Sequence, residues 1–156
     1  MKKENKDTPG LPMPPPFLMA IFLVVALAFG WKLPIPVACP WWMQVIGGAV
    51  VLSGLACAFS AVRAMFHAQT SPSPRNPTST LVTDGPYKFT RNPIYLGFIL
   101  AVIGLPLMLG FYWGAILAPV AGDAYNRLII EREETYLERK FGKAYLDYKA
   151  KVRRWL

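Results

Sequence analysis

Acidic residues are scarce in this chain of 156 residues: nine Asp and Glu stand against 17 Lys and Arg, for a formal net charge of +8. Cysteine and histidine are scarcer, with two and one. Cys39 and Cys57 fit no metal-binding or redox spacing, and Cys57 lies inside an apolar run, so both read as structural. His67 has no second ligand candidate near it in sequence, so it reads as incidental and no metal site is expected. Neither GxGxxG nor GxxxxGK(S/T) occurs, which leaves a Rossmann or P-loop nucleotide site without support. No nucleic-acid-binding motif accompanies the positive charge.

What the chain does have is apolar length. Hydrophobic residues make up 54% and the mean hydropathy is +0.32. A soluble globule does not combine that with +8. A membrane protein does, because lipid takes the apolar residues while anionic headgroups attract the cations by roughly 1 kcal/mol each. The length suits one domain.

Residues 1–16, charged and then rich in proline, are expected to be a flexible cytosolic lead-in. Residues 17–33 follow as a first span, about 25 Å long at 1.5 Å per residue. Lys2, Lys3 and Lys6 ahead of an apolar stretch containing Ala26-Leu27-Ala28 also fit a signal peptide, but prolines before the apolar run are atypical of one. After the loop Lys32–Pro40, residues 41–62 form a second span, with Trp41 and Trp42 at an interface. Its Gly47, Gly48, Ser53, Gly54 and Ala58 would admit a neighbouring helix closely, and permit a dimer without requiring one.

The connection from Arg63 to Thr90 contains SPSPRNPTST, which forbids regular helix. From Pro93 to Gly122 the chain is apolar for roughly 45 Å as a single helix, too long for one crossing, so a hairpin is expected. Gly104, Pro106 and Gly110 mark its turn, giving spans at 93–108 and 111–130. Asp123 and Arg127, four apart, should pair. Leu137, Phe141, Tyr145, Tyr148, Val152 and Trp155 recur at helical spacing in the basic tail, which reads as an amphipathic element on the membrane surface, bent at Gly142.

The expected fold is therefore all-α and integral to the membrane: four spans, a C-terminal helical hairpin among them, then a cytosolic helical tail. Residues 17–156 form one domain, with cytosolic segments at 81–92 and 131–156. With four spans, 16 of the 17 Lys and Arg fall on one side and only Lys32 on the other. That asymmetry puts both termini and the middle loop in the cytoplasm.

Two cytosolic stretches, Leu81–Gly97 and Glu131–Trp155, abut the ends of the hairpin. Folding it brings Arg91, Asn92 and Pro93 towards Glu133 and Glu134, making a polar pocket at the membrane boundary, open sideways to lipid. Arg91, the Asn92 amide and the helix-start amides after Pro93 can hold a carboxylate. Either glutamate can hold an ammonium group or ribose hydroxyls, and Tyr87 or Tyr95 can stack on a base.

The order LVT-x-GPY-xxx-RNP-x-YLG, apolar hairpin, EE-xx-L-xxx-FG-xx-Y-xx-Y resembles the isoprenylcysteine carboxyl methyltransferase and phospholipid methyltransferase superfamily over Leu81 to about Arg154. The resemblance implies an enzyme that transfers a methyl group from S-adenosylmethionine to a lipophilic acceptor at the cytoplasmic membrane face. It implies cofactor contacts from Tyr87, Arg91, Asn92, Pro93, Tyr95, Glu133 and Glu134, with Arg91, Asn92 and Glu134 as catalytic candidates and Arg127 and Tyr145 lining the pocket. Asn92 stands where the isoprenylcysteine enzymes typically carry His and looks like bacterial relatives, implying a bacterial inner membrane and leaving the acceptor open among carboxylate, amine and thiol. The alternatives are an NADPH-dependent membrane reductase of the sterol or isoprenoid type, with Arg153 and Arg154 near a 2′-phosphate, and a small transporter or scaffold.

Overall fold

Proline sorts the chain into its elements. Pro15 opens α1 (Pro15–Lys32), Pro40 directly precedes α2 (Trp41–His67), and Pro93 opens α3 (Pro93–Met108). The first amides of a helix have no intrahelical acceptor, so proline is tolerated there and its fixed φ pre-sets the turn. The computed structural model describes residues 7–156, so the first part of the predicted lead-in lies outside the described residues. All regular structure among the described residues is helical, continuing with α4 (Trp113–Tyr125), α5 (Glu131–Phe141) and α6 (Lys143–Lys151).

α1 and α2, of 18 and 27 residues, are long and apolar enough to cross a membrane. Only 22% and 17% of their apolar windows are buried inside the protein, which a soluble core helix would not tolerate. Val24, Leu52, Leu55 and Phe59 point outward, more than half exposed, as lipid-facing side chains should. The chain is a membrane protein. At about 40 Å, α2 outreaches a hydrocarbon core of about 30 Å, so it continues five residues past the expected span, carrying Arg63 and His67 clear of the apolar run.

Backbone contact holds α2 to α3. A Cβ on Gly47 would lie 2.7 Å from Met108 N, one on Gly97 2.7 Å from Gly54 O, and one on Gly104 2.6 Å from Gly47 O. Gly47 and Gly54, two turns apart, thus face Gly104 and Gly97, also two turns apart, so the helices meet where neither has a side chain. Gly48, from the same expected stripe, faces open space.

This contact corrects the expected hairpin turn. α3 runs straight through Gly104 and Pro106, both buried, and the chain reverses only after Met108, with Gly110 at φ +85°. Gly104 is needed for close approach to α2, and Pro106 in the last turn lacks an amide that the packed helix can spare. On that side of the bundle Trp113 Nε1 donates to Leu33 O at 2.8 Å.

Helix continues from α4 into α5 through one wide π turn, Asn126–Ile130. Such a turn inserts a residue and rotates everything after it. Ile129 and Ile130 enter the core with Leu18, Tyr95 and Tyr125, while Leu11, Met13, Phe98 and Trp155 pack around them. Gly142, at φ +52°, stops α5 where the bend was expected, and α6 returns towards the 3-10 turn Gly85–Lys88. Of the predicted stripe along the tail, Tyr145 and Tyr148 turn inward and are buried and the other four residues are half-buried, while Leu146, off the stripe, is exposed.

Residues 7–14 do not form helix, but they are tied down. Asp7 pairs with Lys140 at 2.8 Å, Gly10 O accepts from Arg132 at 3.4 Å, and Tyr125 donates to Pro15 O at 2.7 Å.

Candidate active site

A cavity of about 130 Å³ lies where the Pro72–Pro74 loop, the 3-10 turn, the start of α3, α5 and α6 converge. Tyr87, Arg91, Asn92, Pro93, Tyr95, Glu133, Glu134 and Tyr145 all line it, so residues far apart in sequence share one wall. Arg127 does not. It sits on the outer face ahead of the wide turn, 73% exposed, paired at 2.9 Å with Asp123 as its spacing predicted.

Glu134 is the electrostatic centre. Its Oε1 accepts from Arg154 Nε at 3.0 Å and pairs with Arg91 Nη2 at 3.0 Å. Its Oε2 accepts from Arg154 Nη2 at 2.8 Å, with Lys149 Nζ 3.7 Å away. Burial alone would raise its carboxyl, but the Arg154 hydrogen bond and the charges of Arg91, Arg154 and Lys149 hold it below the ordinary value. Lys149 also bonds Glu138.

Glu133, one residue earlier, lives in the opposite environment. Its Oε1 accepts from Tyr95 Oη at 2.6 Å, and no cation pairs with it among the described residues. Burial therefore dominates, and its carboxyl is pushed up to about 7 despite the Tyr95 hydrogen bond. Consecutive helical residues point about 100° apart, which is how one glutamate reaches the cations while its neighbour meets an aromatic wall.

Arg91 is only half satisfied. Its side chain is 9% exposed and Nη2 meets Glu134, yet Nε and Nη1 are buried without a hydrogen-bond partner. Buried donors are rarely left unmade, because each costs roughly 1 to 3 kcal/mol. They are not a pair on one edge: Nε shares its edge with Nη2, already on Glu134, and Nη1 lies on the Cδ side, so Arg91 offers the cavity it lines two separate donors.

Asn92 has a second attachment. Its Nδ2 donates to Arg154 O at 3.0 Å, the Thr90 hydroxyl donates to the same oxygen at 3.0 Å, and Arg91 N donates to Arg153 O at 3.0 Å. Trp155 Nε1 completes the attachment on Asn126 Oδ1 at 3.1 Å, in the wide turn. The C-terminal segment is thus stitched along Thr90–Asn92. Of the two expected stacking residues, Tyr95 already stacks on Tyr125, with ring centroids 5.4 Å apart. Tyr87 lines the cavity, its carbonyl accepting from Tyr148 Oη at 2.8 Å. Burial raises the Tyr87 and Tyr148 hydroxyls and pushes Tyr145 up to about 12, so all three remain protonated donors at neutral pH. Neither His67, bonded to Arg63 at 3.3 Å, nor either cysteine lines the cavity.

Tyr148 lines the cavity, and Arg154 and Lys149 reach Glu134 at its edge, although the sequence placed none of the three among the cofactor contacts. Arg154 entered the sequence reading only beside a 2′-phosphate in the reductase alternative, and its contact with Glu134 is what distinguishes it.

The sequence profile of the phospholipid methyltransferase family matches residues 42–144, two thirds of the chain. The chain belongs to this family. It is 36% identical over 80 residues to the protein-S-isoprenylcysteine O-methyltransferase of Schizosaccharomyces pombe, covering 51% of this chain and 34% of that protein. Against the human protein of the same name identity is 32% over 123 residues, covering 71% and 40%. Methanethiol S-methyltransferase 2 of Bradyrhizobium diazoefficiens is 38% identical over 66 residues, covering 42% and 24%. The chain spans well under half the length of these relatives. No solved structure matches it.

Proposed function

We propose that the chain is an S-adenosylmethionine-dependent methyltransferase acting on a lipophilic acceptor at the cytoplasmic face of the membrane. The observation that carries the reading is the pairing, in one cavity, of a guanidinium with two unmade buried bonds and a carboxylate with no cation among the described residues. The amino-acid end of the cofactor is a zwitterion that supplies the missing partner to each. Its carboxylate fits an unmade donor of Arg91, Nε or Nη1, its ammonium fits Glu133, and Tyr87 is placed to cover the adenine. Glu134, neutralised by Arg91 and Arg154, positions Arg91 rather than holding ligand.

The cofactor supplies an electrophilic methyl group on a sulfonium. The acceptor's lone pair forms the new bond to that carbon while the sulfur–carbon bond breaks and its electrons stay on sulfur. The residues here contribute orientation, which supplies up to roughly 7 to 11 kcal/mol in well-aligned reactions. A carboxylate acceptor needs no base. An amine or thiol must give up a proton, for which Glu133 is the available carboxylate.

Isoprenylcysteine and methanethiol methyltransferases among the relatives support methyl transfer, and they leave oxygen and sulfur acceptors both open. Four spans with both termini cytoplasmic follow if α3 and α4 cross as the apolar hairpin, which leaves Lys32 the one cation outside. Calorimetric titration of the detergent-purified protein with S-adenosylhomocysteine, beside NADPH, is the test. Binding of the former alone is expected; NADPH binding instead would replace methyl transfer with a reductase, and binding of neither would refute the site.

A further inference from the structure

Beside the charged cavity lies a second, of about 880 Å³. Leu11, Met13, Pro72, Pro74, Ile94 and Phe98 give it an apolar wall, and among the described residues Arg75 is the single charged side chain that lines it. Its size falls within the range of pockets that enclose small-molecule ligands. A cofactor with a carboxylate and an ammonium group has nothing to satisfy both charges there. The two cavities share Ile94 and Tyr95 and the Pro72–Pro74 loop, so whatever fills the second lies against the first.

One side of this groove is the proline segment Thr8–Pro16, held by the Asp7–Lys140 pair, by Arg132 on Gly10 O and by Tyr125 on Pro15 O. Proline fixes φ, so such a strap loses little conformational entropy on closing over a ligand. It also precedes residue 42, where the family match begins. This wall is therefore supplied by a part of the chain outside the shared region.

We propose that this groove binds the hydrocarbon chain of the methyl acceptor, with the nucleophilic end directed past Tyr95 into the charged cavity and the strap setting which chains fit. The proposal rests on the methyl-transfer reading. Tyr95 is the divider: it lines both cavities while its hydroxyl is anchored on Glu133. The strap leads directly into α1, so the groove lies at the cytosolic end of a membrane span, where a lipid-dissolved acceptor would enter.

The test is photolabelling of the full chain in detergent with dodecylamine carrying a chain-end diazirine, followed by peptide mapping. Label is expected on residues 8–16 and 94–98 and should be displaced by unlabelled dodecylamine. Leu11→Trp fills the groove and should lower that labelling about tenfold, a loss of roughly 1.4 kcal/mol, with S-adenosylhomocysteine affinity unchanged. Phe98→Ala deepens the groove and should shift the preferred probe to the hexadecyl homologue, which keeps the test open if the tryptophan variant does not fold. Label spread along the lipid-facing side of α2 without enrichment at the strap, or a chain-length preference untouched by Phe98→Ala, would overturn the groove assignment. Strap labelling in a wild type that binds no S-adenosylhomocysteine would overturn methyl transfer and leave the hydrocarbon site standing.

Discussion

Replacing Arg91 by lysine separates holding the fold from holding the cofactor. Lysine keeps one positive charge and can still reach Glu134, which the arginine meets through Nη2 at 3.0 Å. Arg154 grips the same carboxylate through two bonds at 3.0 and 2.8 Å, so the cluster survives the exchange. What lysine cannot reproduce is the two remaining donors: Nε and Nη1, buried and unpartnered, become at most one ammonium donor already committed to Glu134. A hydrogen bond to a charged group contributes about 1.5 to 3 kcal/mol, so S-adenosylhomocysteine should bind about tenfold to a hundredfold more weakly. Calorimetry in detergent reads the affinity, and near-ultraviolet circular dichroism of the tyrosine-rich site reads the fold. Unchanged affinity with an unchanged spectrum would refute the assignment, because the guanidinium would then face no ligand.

Three further outcomes follow from the same geometry. Because native Glu133 titrates near 7 against an ordinary value of 4.5, the folded state binds more protons between those values than the unfolded state does. Stability of the ligand-free protein should therefore fall as pH rises from about 4.5 to 7, and Glu133→Gln should flatten that slope in detergent melts; a slope that survives the substitution would put its origin elsewhere. Gly97→Ala forces a Cβ to within 2.7 Å of Gly54 O and should cost about 1 to 3 kcal/mol, lowering the melting temperature, whereas Gly48→Ala meets nothing within 4 Å and should be neutral; equal effects would contradict the close α2–α3 contact. Asn92→Ala removes a half-buried bond to Arg154 O and should speed hydrogen exchange or carboxypeptidase attack at residues 152–156 while α1–α4 stay protected; an unaltered rate would mean Thr90 and Arg91 suffice to hold the C-terminal segment.

Apolar length and helical period made most of the fold legible, because a chain in lipid must satisfy its backbone internally and has few ways to do it. A helix appeared with the expected bounds 93–108, and the Asp123–Arg127 pair needed only the i,i+4 rule. Gly104 and Pro106 misled because composition does not say whether glycine frees a turn or admits a neighbour; that depends on Gly47 being two turns from Gly54, matching the spacing of Gly104 and Gly97 across the interface. The two glutamates could be named from sequence, but not their division of labour. A π turn between α4 and α5 fixes which faces the cations, and no residue in Asn126–Ile130 announces it. Arg154 was hidden by a different cause. Among nine basic residues after Asp123 it has no local mark, and its role arises from the contacts of the extended C-terminal segment with Thr90–Asn92, more than sixty residues away in sequence. The proline strap was read as a lead-in for the same reason: proline excludes helix, but only the tertiary contacts of Gly10 O and Pro15 O show that an extended segment can be a wall.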